Sequence, residues 1–248
     1  MLASLPMYDR PEIATATNRL WDSIRDTMRQ MGMTAPDRLT RAGNLWDHWR
    51  APDLVLSQTC GLPYRSVLHE ITTMIGTPDY GLPDCPPGHY NSVILVRRDE
   101  TRTDPSDWPQ LRLAFNELHS QSGWAAALNH AQSLGTTFGE MIETGAHRAS
   151  VRMVAEGRAD ICVCDAQTWR LIRRWDRYEP ALREIGRTEP TPGLPLITAR
   201  AEDAERIGTA VRHALALQSA EDRTAMGLNG FVKLPKAAYL AVPTPPAP

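Results

Sequence analysis

Residues 145–169, GAHRASVRMVAEGRADICVCDAQTW, decide how the rest of the chain is read. Residues 150–156 form a helical stretch, and Gly157 follows at the place where a helix end favours glycine. ICVC at 161–164 is an unbroken apolar run, the pattern of a strand buried on both faces. Asp165 stands where it can cap a second helix over 166–175, with Trp169 and Ile172 turned inward. Helix, strand, cap and helix in succession predict an α/β protein. Cys162 and Cys164, two apart, share one strand face. They read as small buried residues, because no further metal ligand lies near them in the sequence.

Outward from this stretch the alternation continues. Short apolar runs at 2–7, 53–57, 92–96, 111–115, 141–143 and 196–199 predict strands, and runs without alternation predict a parallel sheet covered on both faces. Between them, 11–31 places Ile13, Leu20, Trp21, Ile24, Met28 and Met31 close to a 3.6-residue period. A helix over 124–134 can take Ser122 as its cap, and 202–217 carries Ile207, Val211, Ala214 and Leu215. None of the 20 prolines falls between Gln110 and Glu179, whereas six lie in 78–109 and three in 190–195. A proline-free block with proline-rich edges predicts an inserted lobe between two crossing segments. Residues 241–248 read as an extended, flexible proline-rich tail.

The 248 residues are 42% hydrophobic and 23% charged, with a formal net charge of −2. That balance argues against disorder and gives no footprint for nucleic acid. Only Lys233 and Lys236 are lysines among 27 basic residues, and the arginines are scattered. No stretch reaches the roughly 18–20 apolar residues of a membrane span. The first residues, MLASLPMYDRPE, lack the basic and apolar regions of a signal peptide, so the sequence as written reads as cytoplasmic. Enzyme motifs fail in turn. HEITT at 69–73 lacks the second zinc-binding histidine, no serine stands in a nucleophile elbow, and no lysine precedes 233 to serve a phosphate loop.

In open α/β sheets ligands bind beyond the carboxyl ends of strands. Tyr8 follows the first strand, Thr59, Cys60 and Gly61 follow the second, and Asn116 and then Ser120, Gln121, Ser122 and Gly123 follow 111–115. His147 and Arg148 follow 141–143, and Asp165 follows ICVC. SQSG ahead of a helix has a definite use: the first helical N–H groups lack partners and carry partial positive charge, and a glycine lets an oxyanion approach. Each residue alone also has a plain structural reading, as cap, core histidine or rim aromatic.

The arrangement LPMYDRPE, LSQTCGLPY, GTPDYGLPDCPPGHYNSVILVRRDE, LAFNELHSQSGW, GAHRASVRMVAEGRADICVCDAQTW and TEPTPGLPLITA resembles the phosphate, phosphite and phosphonate substrate-binding proteins of ABC transporters. These are members of the type 2 periplasmic binding protein superfamily. The resemblance covers roughly residues 2–239. It implies a two-lobed α/β fold with two crossing hinge strands, SVILVRRD and GLPLITA. Residues 1–96 plus 196–248 would then form the first lobe and 97–195 the second, with the ligand closed between them. It implies phosphonate-oxygen donors at Ser120, Ser122 and the Gly123 backbone, joined by Asn116, Gln121 and His147. Asp165 would face a cationic end, Tyr8 and Thr59 would be first-lobe contacts, and Cys60 and Cys85 would form a disulfide.

The function so implied is non-catalytic capture of a small anionic or zwitterionic, phosphonate-like ligand for ABC-type uptake. No cofactor or metal is implied, the partner is an ABC permease, and the protein is a periplasmic monomer without nucleic-acid binding or membrane insertion. Two alternatives stay open: a cytosolic ligand sensor without a transporter, and an enzyme on the same fold using Cys60 near His147 or His69. On the leading reading, Ser122→Ala and His147→Ala each weaken binding with little loss of stability, the His147 effect being larger below about pH 6.5 if the imidazolium is the bound form.

Overall fold

The computed structural model describes residues 1–246. Its strands, in chain order, are β1 (Leu2–Ser4), β2 (Leu54–Gln58), β3 (Thr73–Asp79), β4 (His89–Tyr90), β5 (Ser92–Arg97) and β6 (Leu113–Phe115). They continue with β7 (Met141–Glu143), β8 (Ile161–Asp165), β9 (Leu182–Arg187), β10 (Thr191–Pro192), β11 (Leu196–Thr198) and β12 (Gly230–Val232). The chain divides into two units. The first comprises Met1–Pro83, Pro87–His89 and Pro192–Leu240, and the second Asp84–Pro86, Tyr90–Thr191 and, of the described residues, 241–246.

The first unit holds a five-stranded sheet in the order β1-β2-β11-β3-β12. β1 and β2 are parallel, while β11 runs antiparallel to both β2 and β3, and β12 antiparallel to β3. Helix Ala14–Gln30 buries Ala16, Thr17, Leu20, Trp21, Ile24 and Met28, the stripe its sequence period marks out. A second core gathers Trp49, Leu54, Tyr64, Leu68, Ile197 and Tyr239. There the Tyr239 hydroxyl meets the Thr77 hydroxyl at 2.5 Å, so the buried phenol is satisfied.

The second unit holds the order β7-β6-β8-β5-β9. β6 runs parallel to β7 and β8, and β5 runs antiparallel to β8 and β9. Its core packs Ile94, Val96, Leu111, Leu113, Ile161 and Val163 with Trp108 and Phe138, whose rings stack 5.2 Å apart.

Three expectations change. The sheets are mixed rather than parallel: SVILV is buried along its length because both its faces are covered, and that burial does not depend on pairing direction. SVILVRRD and GLPLITA are not the crossings, since β5 sits inside the second sheet and β11 inside the first. The long stretch of the second unit, Tyr90–Thr191, begins within β4 and ends within β10, two short strands that pair with each other, rather than at 97 and 195. The proline-rich end groups with the second unit, where Asn129 Nδ2 donates to Pro243 O (2.9 Å); residues 247–248 of the expected tail lie outside the described residues.

Candidate functional site

The site is built at the carboxyl ends of β6, β7 and β8. β6 and β7 pair in register, Phe115 opposite Glu143, so the segments leaving them run side by side. Thr144 N–H then donates to Phe115 O (2.9 Å) and Gly145 N–H to Asn116 O (2.7 Å). Those two bonds bring His147, the first residue of helix His147–Ala155, up to the turn that follows β6.

That turn is capped two residues earlier than the sequence suggests. Ser120, with extended backbone, is the cap: its Oγ accepts from Gly123 N–H at 3.0 Å. Helix then begins at once as a π-helical turn, Gln121–Ala125, with Ala125 N–H donating back to Ser120 O (3.0 Å), and continues as Ala126–Ser133. Ser122 is thereby released from capping. Its Oγ lies 2.7 Å from His147 Nε2 and 3.5 Å from Ser120 Oγ. Gly123 is required by space: a Cβ there would sit 2.0 Å from Asn116 Oδ1 and 2.9 Å from His147 Cε1.

The structure thus brings Asn116, Ser120, Gln121, Ser122, Gly123 and His147 together. Asp165 belongs to the same end of the sheet. Its carboxylate accepts from Thr168 N–H (2.7 Å), the expected cap, and its backbone pairs with Ser92 of β5. Ser92 is a residue that sequence reading missed. Its hydroxyl donates to Ser122 O (3.0 Å), and its backbone exchanges bonds with Thr188 through Ser92 N–H to Thr188 Oγ1 (3.0 Å) and Thr188 N–H to Ser92 O (2.9 Å). A serine opening an otherwise apolar run, SVILV, was the available signal.

The electrostatics differ from expectation. Burial pushes the His147 imidazole down to about 4, so it is neutral at pH 7. Its Nδ1 and Asn116 Oδ1 are both buried without a hydrogen-bond partner. The turn therefore presents hydroxyls and helix-terminal N–H groups and no imidazolium charge. Arg148 next door is committed to Asp176.

Tyr8 and Thr59 lie in the first unit. Tyr8 is nearly buried and packs edge-on against Tyr80, ring centroids 4.8 Å apart. Thr59 is fully buried, its N–H bonded to Pro195 O (3.0 Å) and its Oγ1 3.4 Å from Cys60 O. Cys60 and Cys85 are half-buried, and burial pushes the Cys162 and Cys164 thiols well up, leaving them unreactive. His69 turns its Nδ1 to Tyr64 O (3.3 Å). No group of metal-binding side chains and no helix long and apolar enough to cross a membrane occurs among the described residues.

Against known proteins, residues 73–239 match the family described as the periplasmic substrate-binding protein of phosphonate ABC transporters. No curated protein matches the sequence. Among solved structures, PhnD1 of Prochlorococcus marinus in complex with methylphosphonate is similar, at 15% identity over 96% of this chain and 94% of that one, with a TM-score of 0.73. XAC2383 of Xanthomonas citri bound to chloride shows 15% identity over 96% and 92%, with a TM-score of 0.72. A binding protein component of a phosphonate ABC transporter from Pseudomonas aeruginosa shows 13% over 97% and 82%, with a TM-score of 0.67. At these identities the likeness is one of fold.

Proposed function

The chain belongs to the periplasmic substrate-binding proteins of phosphonate ABC transporters, and from that membership we propose that it binds the phosphonate group on the Ser120–Gly123 turn. Its role is that of a solute-binding protein for ABC-type uptake. The observation that carries the ligand reading is the convergence of two serine hydroxyls and a neutral imidazole on a glycine-containing helix start. Hydroxyls and N–H groups can donate to phosphonate oxygens, and the helix dipole favours the negative charge. In this reading Asn116 and Gln121 complete the polar surround. Asp165 takes a cationic end of a zwitterionic ligand. An ABC permease is the proposed partner, a monomer the proposed state and the periplasm the proposed compartment. The family is one of binding proteins, and the reading requires no catalytic step.

Titration calorimetry with methylphosphonate, 2-aminoethylphosphonate, phosphite, phosphate and methanesulfonate tests it. The expected outcome is binding of a phosphonate, weakened roughly 10- to 150-fold by Ser122→Ala, the loss of one hydrogen bond to a charged group. Absence of binding to every phosphorus oxyanion, or unchanged affinity in both Ser120→Ala and Ser122→Ala, would overturn it.

A further inference from the structure

Ser92, the first residue of β5, is a buried serine ahead of an apolar run, Val93–Val96. Alanine would occupy nearly the same space, and burying a hydroxyl costs free energy unless it is hydrogen-bonded. This hydroxyl donates to Ser122 O (3.0 Å), across 30 residues of chain. Ser92 is itself held from several sides. Its N–H and C=O are bonded to Thr188 at 3.0 and 2.9 Å, and it stands opposite Asp165 of β8. The Asn91 carbonyl just before it accepts from Ala166 N–H (3.1 Å).

The Ser122–Gly123 peptide is therefore pinned at both ends: Ser92 holds its oxygen, and Ser120 Oγ accepts from its N–H (3.0 Å). Around it the backbone bonds span five residues, Ala125 N–H to Ser120 O and Ala126 N–H to Gln121 O, one more than in an α-helix. Such π turns are rare, and unfavourable local arrangements persist only where the surroundings hold them. The competing arrangement is the one the local sequence favours, a helix capped by Ser122. In it the Ser122 hydroxyl would accept from a helix N–H and turn away from His147 Nε2, which it meets at 2.7 Å.

We propose that Ser92 is a positioning residue that holds the turn in its π register and so keeps the Ser122 hydroxyl free for a phosphonate oxygen. The inference rests on the phosphonate-binding reading above, although the hold on the turn exists without ligand. Ser92 acts through Ser122 and not on the ligand itself.

Methylphosphonate calorimetry, together with amide hydrogen exchange of the ligand-free protein, tests it. Losing one neutral hydrogen bond shifts an equilibrium roughly 2- to 12-fold, so Ser92→Ala should weaken methylphosphonate binding by about that factor. Exchange at Gly123 N–H, which is protected while Ser120 is the cap, should quicken by a similar factor. Ser92→Thr keeps the hydroxyl and should bring both readouts to within about twofold of the parent. If that variant does not fold, Ser92→Cys, with its weaker donor, should fall between parent and alanine. Thr136→Ala is the control for a merely structural role. It removes a bond of the same kind, Thr136 Oγ1 to Pro105 O (2.7 Å), elsewhere in the second unit. Stability should fall comparably there, while affinity and Gly123 exchange stay at the parent values. Unchanged Gly123 exchange in Ser92→Ala overturns the inference whether or not a ligand binds. So does an affinity loss that Thr136→Ala reproduces or that a folded Ser92→Thr fails to restore. Absence of binding by the parent, with faster Gly123 exchange in Ser92→Ala, overturns the phosphonate reading and leaves the hold of Ser92 on the turn standing.

Discussion

The two units each send a strand into a helix through a short turn, and the two turns can be laid side by side. In the first, β2 leads through Thr59 and Cys60 into Gly61–Pro63 and a π-helical turn, Tyr64–Leu68. In the second, β6 leads to Ser120 and the π-helical turn Gln121–Ala125. Both cap residues have extended backbones, φ −77°, ψ 156° at Cys60 and φ −85°, ψ 126° at Ser120. What differs is the third helical position. Gly123 offers an N–H that Ser120 Oγ accepts, whereas Pro63 has no N–H and Cys60 makes no side-chain cap bond. One proline thus leaves a helix start without its cap bond and one glycine permits that bond in the other, although both turns are buried, Gly61–Pro63 and Gln121–Ala125 alike.

The largest effect should come from Gly123→Ala. The new Cβ would overlap Asn116 Oδ1 and crowd the His147 ring, so both must move. Overpacking of this kind typically costs about 1–3 kcal/mol. Here it should also weaken phosphonate binding by at least about tenfold, because the displaced groups line the proposed site. Gly186→Ala in β9 is the control: a Cβ there meets only Ile94 Cδ1, at 3.6 Å, and stability should move by less than about 0.5 kcal/mol. Urea denaturation and calorimetry on both variants read the outcome. Equal, small effects would mean that the second turn is no tighter than an ordinary strand position.

His147 gives the next effect, and its sign follows from burial. The imidazole titrates near 6.5 in an unfolded chain and near 4 in the folded protein. Between those values the unfolded chain binds more protons. Stability is therefore fully present above about pH 6.5 and is lost as pH falls towards 4. The parent protein should have a lower urea midpoint at pH 5 than at pH 7, and His147→Gln should flatten that difference. An imidazolium role would require the opposite trend, a gain on acidification. The same geometry changes what Ser122→Ala does. Removing the hydroxyl 2.7 Å from His147 Nε2 leaves a buried ring nitrogen unpaired, which costs about 1–3 kcal/mol, so the variant loses stability as well as affinity.

Much of this was readable in the chain, for local reasons. ICVC, Gly157 and Asp165 delivered strand, helix end and cap because each depends on neighbours in sequence. β3 escaped because Gly76 and Pro78 interrupt it. Gly76 is there to admit the Phe231 ring, which would lie 2.4 Å from a Cβ, and Pro78 is tolerated opposite Phe231 of β12. β9, LREIGR, is too polar to read as a strand and is held by pairing with β5. The serine loop was legible as a helix start, but which serine caps was not: the π-turn shifts the register by tertiary fit. The partner of Ser92 and the desolvation of His147 arise from segments distant in sequence, so no local pattern carries them.

The smallest effects concern the caps themselves, and they isolate the role of the third position. Ser120→Ala removes the acceptor for Gly123 N–H and should cost about 1 kcal/mol, the usual worth of a serine cap. Cys60→Ser supplies a hydroxyl in the first turn, but Pro63 offers no N–H and only that of Leu62 remains, so the gain should stay below about 0.5 kcal/mol. In a Pro63→Ala background an N–H returns at the third position. There Cys60→Ser should be worth about 1 kcal/mol, matching the second unit. The coupling between the two substitutions, read from urea midpoints of the four proteins, is then positive by roughly half a kcal/mol or more. If Cys60→Ser stabilises equally with and without Pro63, the proline is not what distinguishes the two turns, and their difference must lie in the side chains packed around them.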